Sequence, residues 1–290
     1  MASAAVVTRR VSPKRLAIKV LYHAFVISLG FLMVYPVLWM ISGSFKTNYE
    51  ILNESLKLIP NQLMLDNFAR GWAGFGRLTF ARFFRNSLVI TTLTTLGVTL
   101  SSSLVAYAFA RIRFPGRRFW FVCMMSTLML PAQVVMIPQY IIFRNLGLIN
   151  TYVPLILPAW FSQAFFVFMM MQFIRGLPKE LDEAAIIDGC SRYSVFTRII
   201  LPLIKPALVT TVVISFYWTW DDFFGPLIYL SRPALYPVSL AIKLFADSTS
   251  TTDYGPMFAM STLSLVPVFL IFLFFNRQLI QGISTTGFKG

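Results

Sequence analysis

A chain of 290 residues that is 57% hydrophobic, 16% aromatic and only 12% charged carries about half the charged fraction of an ordinary soluble domain. Its mean hydropathy of +0.71 leaves no water-facing surface for so much apolar material, which places it in a bilayer. The formal charge of +14 does not point to nucleic acid, because Lys and Arg sit in short segments between long uncharged runs rather than on one polar face.

The basic N-terminus (Arg9, Arg10, Lys14, Arg15, Lys19) leads into an apolar stretch too long for a signal-peptide core, and it reads as a retained first span. A helix needs about 20 apolar residues to cross hydrocarbon, and six segments meet or approach that length. They are predicted at residues 20–41, 86–110, 119–143, 152–174, 206–230 and 254–276, an all-α integral membrane bundle in one domain covering 1–290. The second is uncharged and rich in Ser and Thr (Thr91 to Thr99, Ser101 to Ser103); such hydroxyls bond to their own helix or to neighbours, so it is expected to face protein. The third holds Pro131 and Pro138 and is expected to kink or break. The fifth starts at Pro206 and carries Asp221 and Asp222 near its far end.

Orientation follows from the cations. With the N-terminus in the cytoplasm and six alternating spans, most of the 25 Lys and Arg fall inside, including the acid-free turn Arg111, Arg113, Arg117, Arg118. Most of the 11 acidic residues fall outside, and both termini are cytoplasmic. Some of these cations are also suited to anionic headgroups of membrane lipid. Two connections are longer than tethering requires. The external one, 44–85, has room for short helices on the outer surface; the internal one, 175–205, is amphipathic and mixed in charge.

Within the internal loop, residues 181–188 favour a helix preceded by Pro178 with acids in its first turn, Gly189 permits a left-handed stop, and 192–204 begins a second helix. The small residues Ala184, Ala185 and Gly189 would let a partner backbone come close. Glu183, Ala184, Ala185, then Gly189, then Ile199, Leu201 and Pro202 resemble, in type and spacing, the signature of permease subunits of ATP-binding-cassette importers. That resemblance implies a coupling helix seated in a groove of a cytoplasmic ATPase, with Glu183 paired to a basic group there. Residues 131–158 and the Trp220-Asp221-Asp222-Phe223-Phe224 run are similar to the carbohydrate-uptake branch, although that branch more often has Asn at position 221. The C-terminal tail (277–290), with Gly282, Thr285, Gly287 and Lys289, resembles the maltose-type tail that enters the interface between two ATPase subunits; its glycines suit an extended peptide.

The implied assembly has a second homologous permease chain, an ATP-binding-cassette ATPase dimer holding ATP and Mg, and an extracytoplasmic solute-binding protein. It sits in a bacterial cytoplasmic (inner) membrane and carries a neutral or acidic sugar or oligosaccharide; the alternative is a permease for another solute, such as glycerol phosphate or a polyamine. Asp221, Asp222, Trp220 and Tyr217 are candidates for the translocation path, but a helix end at the water interface accounts for the acids equally, and an interfacial belt accounts for the aromatics. Trp160, Trp218 and Phe216 are open to both readings. The glycines from Gly71 to Gly76 are followed by Arg77-Leu78 where a phosphate loop needs Lys-Ser/Thr, so energy must come from a partner. An intramembrane enzyme is disfavoured. Adjacent Asp221 and Asp222 point about 100° apart on a helix, and with His23 the only histidine and Cys123 and Cys190 far apart, no metal set or catalytic residue emerges. A stand-alone secondary transporter would need charged or broken spans at mid-membrane.

Overall fold

The computed structural model describes residues 13–54, 56–246 and 253–287, and these are helical with one isolated antiparallel bridge, Phe75 with Leu78. In chain order, α1 (Pro13–Gly43) leads to two short helices, α2 (Asn48–Asn53) and α3 (Asp66–Ala73), and then to the long α4 (Phe80–Arg111). The third apolar segment forms α5 (Arg117–Thr127) and α6 (Ala132–Asn145). The fourth forms α7 (Val153–Ile156), a 3-10 turn (Leu157–Phe161) and α8 (Ala164–Gly176). A hairpin follows, made of α9 (Glu180–Ile187) and of α10 (Arg192–Val195), which continues through a π turn into α11 (Leu201–Leu203). Beyond it come α12 (Lys205–Trp220), α13 (Phe224–Tyr229), α14 (Val238–Ala241) and α15 (Tyr254–Gly287).

Among the described residues, four stretches are long and apolar enough to cross a membrane: Ala17–Gly43, Phe80–Arg111, Val153–Gly176 and Tyr254–Asn276. Two further pairs reach that length only together. α5 and α6 meet at 100°, and the Arg192–Leu203 limb meets α12 at 75°. The third segment therefore breaks at residues 128–131, where Pro131 disfavours helix in the residue before it, while Pro138 is accommodated inside α6. The fifth ends at Trp220 rather than at 230, because the Asp222 carboxylate accepts the Gly225 amide (3.1 Å) and starts a separate helix. The fourth, expected as one helix, turns at Ser162, a non-glycine residue at φ 68°.

The hydroxyls of α4 explain why that turn is tolerated. Ser101 Oγ donates to the Ala159 carbonyl (3.1 Å), and the Gln163 amide donates to Ser102 Oγ (3.3 Å). Backbone groups released by the break are thus satisfied by a neighbouring helix, as an apolar medium requires. Thr91, Thr95, Ser102 and Ser103 are all buried, so the hydroxyl-bearing face of the second span meets protein, while Leu88, Leu93, Leu96, Leu100 and Leu104 on its other face point outward. Gly97 lets the Trp160 indole lie against α4; a methyl there would sit 2.5 Å from the ring.

Two clusters flank this middle layer. At one end α4, α8, the hairpin and α12 enclose Ala106, Met170, Met171, Ile174 and Ile200. At the other, Phe80, Phe83, Val238, Phe245 and Met260 form a cluster against which Phe68 of the short helix α3 packs. The 44–79 connection is tied down by Asn67, whose Nδ2 donates to the carbonyls of Ser44 (3.0 Å) and Lys46 (2.9 Å). Arg70 forms an ion pair with Asp253 at the start of α15. α1, α5 and much of α6 present apolar side chains outward, among them Phe25, Leu32, Phe119, Val122 and Ile137.

Candidate functional site

The hairpin is built by local rules. Glu180, Asp182 and Glu183 occupy the first turn of α9, where the helix dipole favours acids. Gly189 (φ 82°) stops the helix: its amide donates to Ile186 O (3.0 Å) and that of Cys190 to Ala185 O (2.9 Å), the paired bonds of a Schellman turn. Ser191 then caps the second limb by accepting the Ser194 amide (3.2 Å).

The two faces of the hairpin differ sharply. Ala185, Val195, Phe196, Ile200 and Ile204 are buried against α4 and α8, with Ile199 and Leu201 packed beside them. Glu183, Ala184, Ile186, Ile187, Asp188, Gly189 and Tyr193 are exposed, Ile187 at 85% and Tyr193 at 71%. The expectation that Ala184 and Ala185 both meet a partner is corrected here. Neighbouring helical residues point about 100° apart, so Ala185 turns into the bundle when Ala184 faces out. Around Gly189 there is open space for an added Cβ, so access to the turn is unobstructed. Pro202 is exposed at the end of the second limb.

Arg111, at the end of α4, clamps the hairpin from behind. Its Nη2 donates to Leu177 O (2.7 Å) and Pro178 O (3.4 Å), and its Nε lies 3.0 Å from Asp182 Oδ2 with both side chains nearly buried. Tyr107, one turn earlier, donates to the Arg192 carbonyl (3.2 Å), so α4 holds both limbs. Burial raises the Asp182 pKa; Arg111 opposes the rise and neighbouring Glu183 adds to it. Behind the hairpin lies a cavity of about 590 Å³ bordered by the cations Arg111, Arg113, Arg117, Arg175, Lys179 and Arg192. Asp182 and Glu183 are the acids on its wall. Charge placement in the sequence marked Arg111 as a topology residue only and gave no sign of Tyr107.

The other candidates scatter. Trp220 is buried, its Nε1 donating to Ser264 O (3.0 Å) and its ring stacked on Phe216 at 5.6 Å. Asp222 is engaged with the Gly225 amide, while Asp221 and Tyr217 are exposed. Trp160 lies against Gly97, and Trp218 packs on Phe165 and Phe166. In the tail, the backbone of Gly282, Thr285 and Gly287 is helical as the end of α15, where glycines suggested an extended peptide; no proline interrupts the sequence after Pro267. Lys289 lies outside the described residues.

Residues 98–285 match the model of the binding-protein-dependent transport system inner membrane component family. The chain is 35% identical over 266 residues to the arabinooligosaccharides transport system permease protein AraQ of Halalkalibacterium halodurans, covering 90% of this chain and 93% of that one. It is 29% identical over 269 residues to the diacetylchitobiose uptake system permease protein NgcG of Streptomyces coelicolor, covering 92% and 88%. Among solved structures, a chain of a bacterial ABC transporter involved in the import of the acidic polysaccharide alginate superposes with a TM-score of 0.82 at 19% identity, over 94% of this chain and 100% of that one.

Proposed function

Because the chain belongs to the family of binding-protein-dependent transport system inner membrane components, we propose that it is one of two membrane subunits of an ATP-driven importer that passes a sugar or oligosaccharide into the cytoplasm. The α5–α6 pair counts as one span and α12 as another, which with the four long stretches gives six, with both termini and the hairpin, whose second limb bends by 75° into α12, on the cytoplasmic side, where the cations concentrate. An ATPase dimer docks there and holds ATP and Mg; the second subunit is a homologous permease. A solute-binding protein, the partner named in the family's description, delivers cargo from the outer side. The names of AraQ and NgcG, both sugar-uptake permeases, support sugar as the cargo class.

The observation that carries this reading is the exposed Ile186, Ile187 and Tyr193 on a hairpin whose other face is locked into the bundle. Apolar side chains at the polar end of a membrane protein call for a protein partner. Because Ala185, Phe196 and Ile200 pack on α4 and α8, and because the second limb runs directly into α12, a push on the hairpin moves three helices as one body. Closure of the ATPases would in this way switch the translocation path between the two permease subunits from inward- to outward-facing, with no bond in the cargo made or broken. In this reading Glu183, on the exposed face, pairs with a cation of the ATPase, and the tail (Gly282, Thr285, Gly287, Lys289) enters the ATPase interface. Tyr217 and Asp221 remain candidates for contact with cargo, whereas Trp220 and Asp222 serve the packing of the α12 end.

The test is reconstitution of the chain with its companion permease, ATPase and binding protein in vesicles. ATP hydrolysis should rise when the binding protein is loaded with its sugar, and sugar should accumulate with ATP. Hydrolysis indifferent to the loaded binding protein would overturn the assignment.

A further inference from the structure

The basic cavity behind the hairpin continues into apolar grooves. It shares Arg117 and Arg175 with a second cavity of about 320 Å³ whose other walls include Phe109 and Phe121. That one shares Phe109 with a third, of about 410 Å³, bordered by Val105, Phe114, Trp120, Cys123 and Met124. The third runs along α5 from Trp120 to Thr127, about 10 Å at 1.5 Å per residue. Six cations thus stand at one end and an aromatic and aliphatic groove at the other, with Arg117 and Arg175 at the junction.

Among the described residues, the acids on the wall of the basic cavity are Asp182 and Glu183, and only Asp182 forms an ion pair, with Arg111. Two acids against six cations leave a net charge of about +4 behind the hairpin. Arg117 is anchored by donating to the Phe109 carbonyl, which fixes its guanidinium where cavity and groove meet. Such a shape, with a cationic cup beside apolar grooves along α5, complements an amphiphile with an anionic head.

We propose that this chain holds one anionic phospholipid here, its phosphate among Arg113, Arg117, Arg175 and Lys179 and an acyl chain along Phe109, Phe121 and Trp120. The bound headgroup would lie against the wall formed by α9, so the lipid composition of the membrane would bear on the hairpin's position. Phosphate geometry suits guanidinium forks, which bind two oxygens at once. The inference rests on the chain spanning a membrane and not on the cargo or on ATPase docking.

Trp120 is a built-in reporter. The full complex is placed in phosphatidylcholine vesicles in which a fixed mole fraction is brominated in the acyl chains, either as phosphatidylglycerol or as phosphatidylcholine. The Trp120 signal is isolated by comparison with Trp120→Phe. Brominated phosphatidylglycerol should quench it more strongly than brominated phosphatidylcholine. In the double variant Arg117→Gln, Arg175→Gln the relative association constant should fall roughly thirtyfold, at about 1 kcal/mol per cation. Arg117→Lys, Arg175→Lys keeps both charges and should retain most of the preference. Equal quenching by the two lipids overturns the proposal, as does an unchanged preference in the Gln variant or its complete loss in the Lys variant. Abolition of the preference by inorganic phosphate would also overturn it, showing a site for a soluble anion instead.

Discussion

Replacing Arg111 with methionine keeps most of the apolar stem of the side chain and removes the clamp behind the hairpin. Three interactions are lost: the hydrogen bonds to Leu177 O at 2.7 Å and Pro178 O at 3.4 Å, and the pairing with Asp182 at 3.0 Å. A charged hydrogen bond contributes about 1.5–3 kcal/mol, and removing one member of a buried pair costs about 3–5 kcal/mol because the other charge is stranded. The two overlap, so the hairpin should open more easily by about 3–5 kcal/mol, raising amide exchange across residues 179–204 by roughly a hundredfold or more. Asp182→Asn should cost only about 1–2 kcal/mol, since Arg111 keeps its two carbonyl acceptors. Hydrogen exchange on the purified complex reads both. The pH dependence has a definite sign. Burial raises the Asp182 pKa in the closed hairpin, so the closed form binds the proton more tightly than the open one. Stability is therefore greatest at low pH and is lost as pH rises through the raised value. In Arg111→Met the opposing cation is gone, so acidification should restore protection. Exchange in Arg111→Met equal to the parent, or a smaller effect than that of Asp182→Asn, would refute the clamp.

Other expectations follow from the same geometry. Gly189→Val should destabilise the turn by roughly 1–2 kcal/mol through its left-handed backbone alone, since a Cβ meets nothing there, and Gly189→Asn should recover much of this; uptake assays should rank the three accordingly, and equal uptake would show the turn conformation to be unimportant. Ile187→Asp alters a side chain 85% exposed, so membrane insertion should be normal while ATPase retention on co-purification falls at least about tenfold; full retention would exclude Ile187 from the interface. Glu183→Ala should abolish transport with the chain still in the membrane, and normal uptake would sink its pairing role. The Glu50 carboxylate accepts the amides of Thr47 (3.1 Å) and Asn61 (2.7 Å), which lower its pKa, so its contribution to the 44–79 connection is present above the usual carboxylate range and lost as pH falls through the lowered value; limited proteolysis of that segment should accelerate only in acid, and acceleration at neutral pH in the parent would contradict this.

What the sequence disclosed and what it withheld divide along physical lines. Segments 20–41, 86–110 and 254–276 are continuous apolar runs whose backbones bond within themselves, so their sequences suffice to place them. The hairpin was readable for the same reason: Gly189, Ser191 and the acids before them are local instructions. The break at 128–131 is expected from Pro131, and that at 221–223 rests on the local bond from the Gly225 amide to Asp222, whereas the turn at Ser162 depends on Ser101 and Ser102 far along the chain and no periodicity announces it. Burial of Trp220 and the inward turn of Ala185 are decided by which helix lies opposite. Likewise Arg111 looks like any cation of a cytoplasmic turn until Asp182 is brought within 3.0 Å of it.

The most direct test of the central claim is co-purification from the native membrane in mild detergent. The chain carries an N-terminal tag, so that its tail is free, and its companions are identified by mass spectrometry, with Ile187→Asp run alongside. The account predicts an ATPase and a second permease with the parent chain, and the permease without the ATPase for Ile187→Asp. Recovery of the parent chain alone, or only as a homo-oligomer, would contradict it.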